Sequence, residues 1–97
     1  MDAVVALPTL EALREFVRTQ LCAHDHLDPG QTPFFQGVIT RRNKPCGLFF
    51  QVQGPRMVRT YALWASEENR ILFYDNTGQR FAETRLSDAP ELEKVAA

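Results

Sequence analysis

Residues 48–65 read LFFQVQGPRMVRTYALWA, two runs of aromatic and β-branched residues separated by a glycine and a proline. In residues 48–53 apolar side chains recur at every second position, which is the period of a β-strand. Gly54 and Pro55 mark a turn between the runs. Because so few residues join the two runs, we expect them to pair as an antiparallel hairpin.

Runs of aromatic and β-branched residues also lie on both sides of this hairpin, and short polar turns separate them at regular intervals. Strands are predicted over residues 34–42, 48–53, 57–65, 70–75 and 79–85. Connections of three to five residues favour pairing between neighbours in the sequence, which gives an antiparallel meander. The sheet is therefore expected to occupy residues 33–86, with Gly78 closing the last tight turn.

An amphipathic helix is predicted before the sheet, over residues 9–24. Thr9 is a suitable N-cap residue, and Asp28-Pro29-Gly30 cannot continue a helix. Apolar residues recur at spacings of three and four along one side, the pattern of a half-buried helix: Leu10, Leu13, Phe16, Val17 and Leu21. This side is expected to pack on the sheet.

The predicted fold is a single α+β domain over residues 1–97, with the helix on a five-strand antiparallel meander. The sheet is expected to be either an open layer or a curled, barrel-like one. Residues 1–8 are predicted to form a loose lead-in, and residues 88–96 a short terminal helix. Ninety-seven residues suffice for one core without metal or disulfide cross-links.

Composition favours a soluble globular protein, with 44% hydrophobic and 24% charged residues. No apolar run approaches the roughly 18–20 residues that span a bilayer, so no membrane contact is expected. The N-terminus carries Asp2 and no basic residue before Arg14, unlike a secretory signal. Cys22 and Cys46 are the two cysteines. We expect both thiols to be reduced, and we predict a cytoplasmic location.

Both faces of the predicted sheet carry large apolar side chains. Phe49 opposes Phe50, and Leu63 opposes Trp64, across the plane of the sheet. One helix covers one face of a sheet, and the other is normally polar. The pattern therefore predicts either a sheet that curls around its own core or a second face that binds something.

The favoured hypothesis is a non-catalytic binding or adaptor domain whose second sheet face contacts a protein partner or another copy of the chain. The residues proposed for this face combine aromatic and amide side chains with one arginine: Phe49, Gln51, Gln53, Arg59 and Tyr61. No catalytic residue and no cofactor is predicted.

A basic segment supports a second hypothesis, binding of single-stranded nucleic acid. Residues 29–66 contain no acidic residue, and their five basic residues are Arg41, Arg42, Lys44, Arg56 and Arg59. Arginines beside aromatic side chains contact phosphates and stack on bases. Consecutive turns of a meander lie at opposite ends of the sheet, however, so these five charges need not form one patch.

The third hypothesis is a metal site or a cysteine-based enzyme. Its candidate residues are Cys22, His24, His26 and Cys46. The alternative is that the histidines simply interact with the last carbonyl groups of the helix. The sequence contains no glycine-rich phosphate loop and suggests no acid–base pair.

Overall fold

The computed structural model describes residues 3–55 and 58–95. Its elements are β1 (Ala3–Ala6), α1 (Leu10–His24), β2 (Phe34–Arg41), β3 (Lys44–Gln53), β4 (Arg59–Ala65), β5 (Arg70–Tyr74), β6 (Arg80–Asp88) and α2 (Leu92–Val95). The architecture is α+β with an N-terminal helix, as predicted. Residues 1, 2, 96 and 97 lie outside the described residues, and so does the predicted strand start at Met57.

The strands form one six-stranded sheet in the order β1-β6-β5-β4-β3-β2. Strands β2 to β6 pair antiparallel with their neighbours in the sequence, which confirms the meander. The short connections impose this order, because a chain that reverses within a few residues can only return beside itself.

Strand β1 corrects two of the predictions. Residues 3–6 are not a loose lead-in: they pair in parallel with β6, with Val5 opposite Leu86, and the sheet is mixed rather than antiparallel. The backbone N–H of Leu7 extends this pairing by donating to the carbonyl of Asp88 at 2.9 Å. The barrel-like alternative is also wrong, because β1 and β2 stand at the two ends of the strand order and do not pair.

Helix α1 forms as the sequence predicts and packs on one face of the sheet. The hydroxyl of Thr9 accepts a hydrogen bond from the N–H of Ala12 at 3.1 Å, which satisfies a donor of the first turn. Leu13, Val17 and Leu21 are fully buried, and the helix contacts β3 and β4. Their three- and four-residue spacing explains the burial, since it places them on one side of the helix.

The core lies between α1 and the sheet face that carries alternate residues of the central strands. The fully buried strand residues are Leu48, Phe50, Val52, Thr60, Ala62 and Ile71, with Trp64 and Phe73 at 1% exposure. The hydroxyl of Thr60 donates to the carboxylate of Asp25, just after α1. This bond gives a buried polar group its partner and ties the helix end to β4.

The turn between β2 and β3 differs from the prediction. The sequence suggested a turn over residues 43–47, but the chain reverses at Arg42 and Asn43, which take φ values of 54° and 66°. Two residues with positive φ form the tight hairpin turn that matches strand twist. Consequently β3 begins at Lys44 and includes Pro45 and Gly47.

The turn at Gly78 and the terminal helix keep closer to the prediction. Gly78 has a φ of 85°, as the closing residue of its turn requires. Helix α2 is shorter than the predicted span of residues 88–96. Asp88, the predicted start, instead belongs to β6.

Candidate functional site

The strand alternation places all five residues proposed for partner binding on the face that points away from α1. Gln53 lies opposite Arg59 and Gln51 opposite Tyr61, while Phe49 lies opposite Leu63. We call this surface the outer face and define it by Phe35, Phe49, Gln51, Gln53, Arg59, Tyr61, Leu63, Arg70, Leu72, Tyr74, Glu83 and Arg85. That these residues bind a partner remains a prediction.

Three aromatic rings cross the middle of the outer face. The ring centroids of Phe49 and Tyr61 are 5.8 Å apart. Those of Tyr61 and Tyr74 are 5.1 Å apart, with the planes tilted by 13°. Each ring is half-buried, mainly by lying against its neighbours on adjacent strands. The row is therefore a preformed apolar platform that spans β3, β4 and β5.

Neither helix of the described chain covers this platform. Helix α1 packs on the opposite face of the sheet, through the buried residues of β3 and β4. Helix α2 lies on that same side, where Leu92 and Val95 pack against the core. Leu63 and Leu72, which face each other between β4 and β5, are consequently left half-exposed on the outer face.

Charged side chains border the platform and are not fully neutralised. Arg70 donates to Glu83 at 3.0 Å and to Glu68 at 2.9 Å. Arg85 lies directly opposite Arg70 on the neighbouring strand, an arrangement of like charges that is unfavourable by itself. Among residues 3–55 and 58–95, neither Arg85 nor Arg59 forms a salt bridge, and both are exposed. The border of the outer face is therefore cationic.

The basic residues proposed for nucleic-acid binding do not form one patch. Arg41, Arg42 and Lys44 gather at the β2–β3 turn and line an open groove of about 500 Å³ with Glu67. Arg59 lies opposite Gln53 at the far end of β3. Arg56 lies outside the described residues.

The structure does not assemble the proposed metal site. Cys22 is buried on α1, whereas Cys46 lies on β3. The His24 ring stacks on Phe81 with centroids 3.7 Å apart, and His26 follows the helix with a φ of 56°. Within the described part of the chain, no three His, Cys, Asp or Glu side chains are placed to hold a metal ion.

Cys22 is also poorly suited to nucleophilic chemistry. Burial raises the pKa of its thiol above the ordinary value, and a hydrogen bond with Thr32 opposes this only in part. The thiolate is the reactive form of cysteine, so a raised pKa lowers reactivity at neutral pH. Cys22 therefore acts as a small apolar core residue between α1 and the chain that follows it.

Two features of the surface escaped the sequence reasoning. The first is the cationic border, because the Arg70–Arg85 pairing depends on the register of β5 and β6. The second is the exposed strand β2, where Phe35 and Val38 are 49% and 43% exposed. The predicted meander places β2 at an end of its five strands, but only the pairing of β1 with β6, rather than with β2, leaves these side chains open.

No match to this chain is found among protein-family models, curated proteins or solved structures. Among the residues that the structure describes, none of the helices has the length and apolar character needed to cross a membrane.

Proposed function

We propose that this chain is a non-catalytic protein-interaction domain, and that its outer face receives an apolar segment of a partner protein. The observation that carries the proposal is the row of Phe49, Tyr61 and Tyr74, which no other part of the described chain covers. Contiguous exposed apolar surface with a polar border is characteristic of interaction sites. Aromatic residues supply much of the binding energy in such sites.

The charges suggest what the partner carries beside its apolar segment. Arg59 and Arg85 lie at different borders of the outer face and have no carboxylate partner in the described chain. A partner with acidic side chains on both sides of its apolar segment would neutralise them. Gln51 and Gln53 add amide groups that can donate and accept hydrogen bonds at the edge of the contact.

The outer face is large enough for a specific contact. Six strands about 4.8 Å apart and about seven residues long on average present a projected area of roughly 670 Å². Each partner in a specific interface contributes on the order of 600–800 Å². A single segment with a well-packed apolar centre therefore suffices, without a second binding site elsewhere.

Affinity capture with matched variants tests this proposal. We expect wild type to capture at least one protein. The variants Tyr61→Ser and Arg85→Glu should each bind that protein about tenfold more weakly, which is a loss of about 1.4 kcal/mol in binding free energy. Arg42→Glu is the matched charge control, since Arg42 is exposed at the β2–β3 turn. It should bind that protein like wild type.

Amide NMR with the purified partner then locates the contact. Shifts confined to the outer-face residues of β3, β4 and β5 would support the proposal, whereas shifts confined to α1 would refute it. A mixed single-stranded oligonucleotide at physiological salt is the competing probe. Saturable shifts over residues 41–59 that weaken with Arg42→Glu would replace this proposal with nucleic-acid binding.

A further inference from the structure

Strand β2 forms an end of the sheet, and no described strand pairs with its outer edge. At its start, Arg14 and Arg18 of α1 lie over the ring of Phe34. Strand β2 pairs with β3 on one side only, so alternate N–H and C=O groups point away from the sheet. The strand is eight residues long, and residues 34–40 include no charged residue and no proline. Charges, prolines and short length are the features that normally protect an edge strand from pairing.

The exposed side chains of β2 lie on both faces of the sheet. Phe35 lies opposite Gln51 on the outer face, and Val38 lies opposite the core residue Leu48 on the helix side. They are 49% and 43% exposed. A partner protein that binds only to the outer face would cover Phe35 and leave Val38 exposed to water. An added strand contributes side chains to both faces and covers both residues together.

The other end of the sheet does not offer an equivalent edge. Strand β1 has four residues, and Pro8 follows it closely, so a long ladder cannot form there. Pairing of β2 with β1 of another copy would also be head-to-tail and would continue into open chains of copies. Pairing of β2 with itself closes after two copies.

We propose that the β2 strands of two copies of this chain pair antiparallel about a two-fold axis, forming one continuous twelve-stranded sheet. The antiparallel direction places the two Arg41 side chains at opposite ends of the new ladder, whereas a parallel direction would bring them together. The uncharged centre around Gly37 and Val38 lies on the axis. This surface is separate from the platform of aromatic rings, so the inference does not depend on the proposed function.

The symmetry fixes how the two copies are oriented. Antiparallel neighbours in one sheet are related by a two-fold axis perpendicular to that sheet. Both α1 helices therefore lie on the same side of the twelve-stranded sheet, and both outer faces lie together on the other side. The dimer would present two platforms in one continuous surface.

Sedimentation velocity over a range of concentrations tests the pairing. We expect wild type to sediment as a species of twice the 11.1 kDa chain mass. Val38→Lys places like charges near each other across the axis and should raise the dissociation constant by at least about tenfold. Val4→Lys is the matched control: Val4 is 66% exposed on β1 at the opposite end of the sheet, and its dimer should dissociate like that of wild type.

A cysteine scan along β2 supplies an independent measurement. Single substitutions at Gln36, Gly37, Val38 and Thr40, made with Cys46→Ser, should give disulfide-linked dimers most readily at the residue nearest the axis. The yield should fall towards Thr40, because disulfides require Cα atoms within roughly 7 Å. Thermal unfolding of each variant near that of wild type shows that the variants are folded.

Three results would overturn the proposal. Wild type could remain a monomer at every concentration, Val38→Lys could dimerise like wild type, or the disulfide yield could be equal along β2. The chain could also be a monomer whose β2 amides gain protection from hydrogen exchange only when a partner protein is added. In that case the strand that pairs with β2 belongs to the partner protein and not to a second copy. Loss of partner capture by Tyr61→Ser without loss of dimers would leave this inference intact.

Discussion

Gly47 on β3 shows how closely two strands approach within this sheet. A Cβ atom at this position would overlap the carbonyl oxygen of Trp64 and lie 3.3 Å from its carbonyl carbon. These are backbone atoms of the neighbouring strand, which cannot rotate aside. The absence of a side chain at Gly47 therefore permits the β3–β4 pairing next to the buried Trp64 ring.

Gly47→Ala should lower the free energy of unfolding by about 2 kcal/mol, because β3 and β4 must separate to admit the methyl group. Gly30→Ala is the control in the loop after α1, where a Cβ would meet only Asp28 Oδ1 at 3.5 Å, an ordinary contact. It should change stability by less than about 1 kcal/mol. Urea unfolding of both variants measures the difference. Equal losses would show that the contact with Trp64 does not limit the pairing.

At the scale of elements, Asp75 organises the hairpin between β5 and β6. Its carboxylate accepts hydrogen bonds from the hydroxyl of Thr77 at 2.6 Å and from the N–H groups of Thr77 and Gln79 at 2.9 and 3.1 Å. These bonds, first that from the Thr77 hydroxyl, hold the pKa of Asp75 below its ordinary value of 3.8. The turn is thus stabilised by the charged form of one side chain.

The lowered pKa predicts a dependence of stability on acid. Because the folded-state pKa lies below the unfolded value, the contribution of Asp75 is complete above 3.8 and is lost as pH falls through the folded pKa. Asp75→Asn removes this pH-dependent contribution to stability. The free energy of unfolding of the variant should therefore vary less than that of wild type between about pH 5 and pH 2. Urea unfolding across this range provides the measurement. Parallel curves would contradict the assigned role.

The individual elements also show which parts of the fold can be predicted from local sequence patterns. The spacing of Leu13, Val17 and Leu21 predicts α1. Alternation over residues 48–53, together with the aromatic and β-branched run of residues 57–65, predicts the central hairpin, because these patterns are local. The predicted turn after β2 is placed too late in the sequence, because proline and glycine, here Pro45 and Gly47, are typical turn residues. In the structure they lie on β3, and the turn instead uses Arg42 and Asn43 with positive φ.

At the scale of the whole molecule, the largest departure from the prediction is strand β1. Residues 3–6 have no strand signal of their own beyond Val4 and Val5, and their pairing depends on β6 near the other end of the chain. Alternation predicts that the five residues proposed for partner binding share one face, as the register of β3 and β4 shows, but it does not say which face α1 covers. The lack of cover on the outer face follows from the side on which α1 packs, and the open edge of β2 follows from the pairing of β1 with β6. Neither contact is encoded in a local pattern.

Deleting residues 1–6 should lower the free energy of unfolding by about 2 kcal/mol or more. The deletion removes the contact of Val5 with the core and the ladder to β6, and it opens Leu86, now 7% exposed, to water. Val4→Thr keeps the strand and changes an exposed side chain, so it should alter stability by less than about 0.5 kcal/mol.

Urea unfolding of the two variants tests the role of β1, together with hydrogen exchange of the β6 amides. We expect faster exchange in β6 of the truncated chain and no change in Val4→Thr. A truncated chain as stable as wild type would show that β1 is dispensable for the sheet.

The pairing of β1 with β6 also has a consequence for how the protein is made. Strand β1 leaves the ribosome before the other described strands, but its partner is the last of them to emerge, since Ala3 pairs with Thr84. During translation α1 and the growing meander can associate, while residues 3–6 remain unpaired until β6 is available. Closing this contact joins segments that lie far apart in the sequence, which carries the entropy cost of a long loop. Completion of the sheet should therefore follow the emergence of β6 from the ribosome.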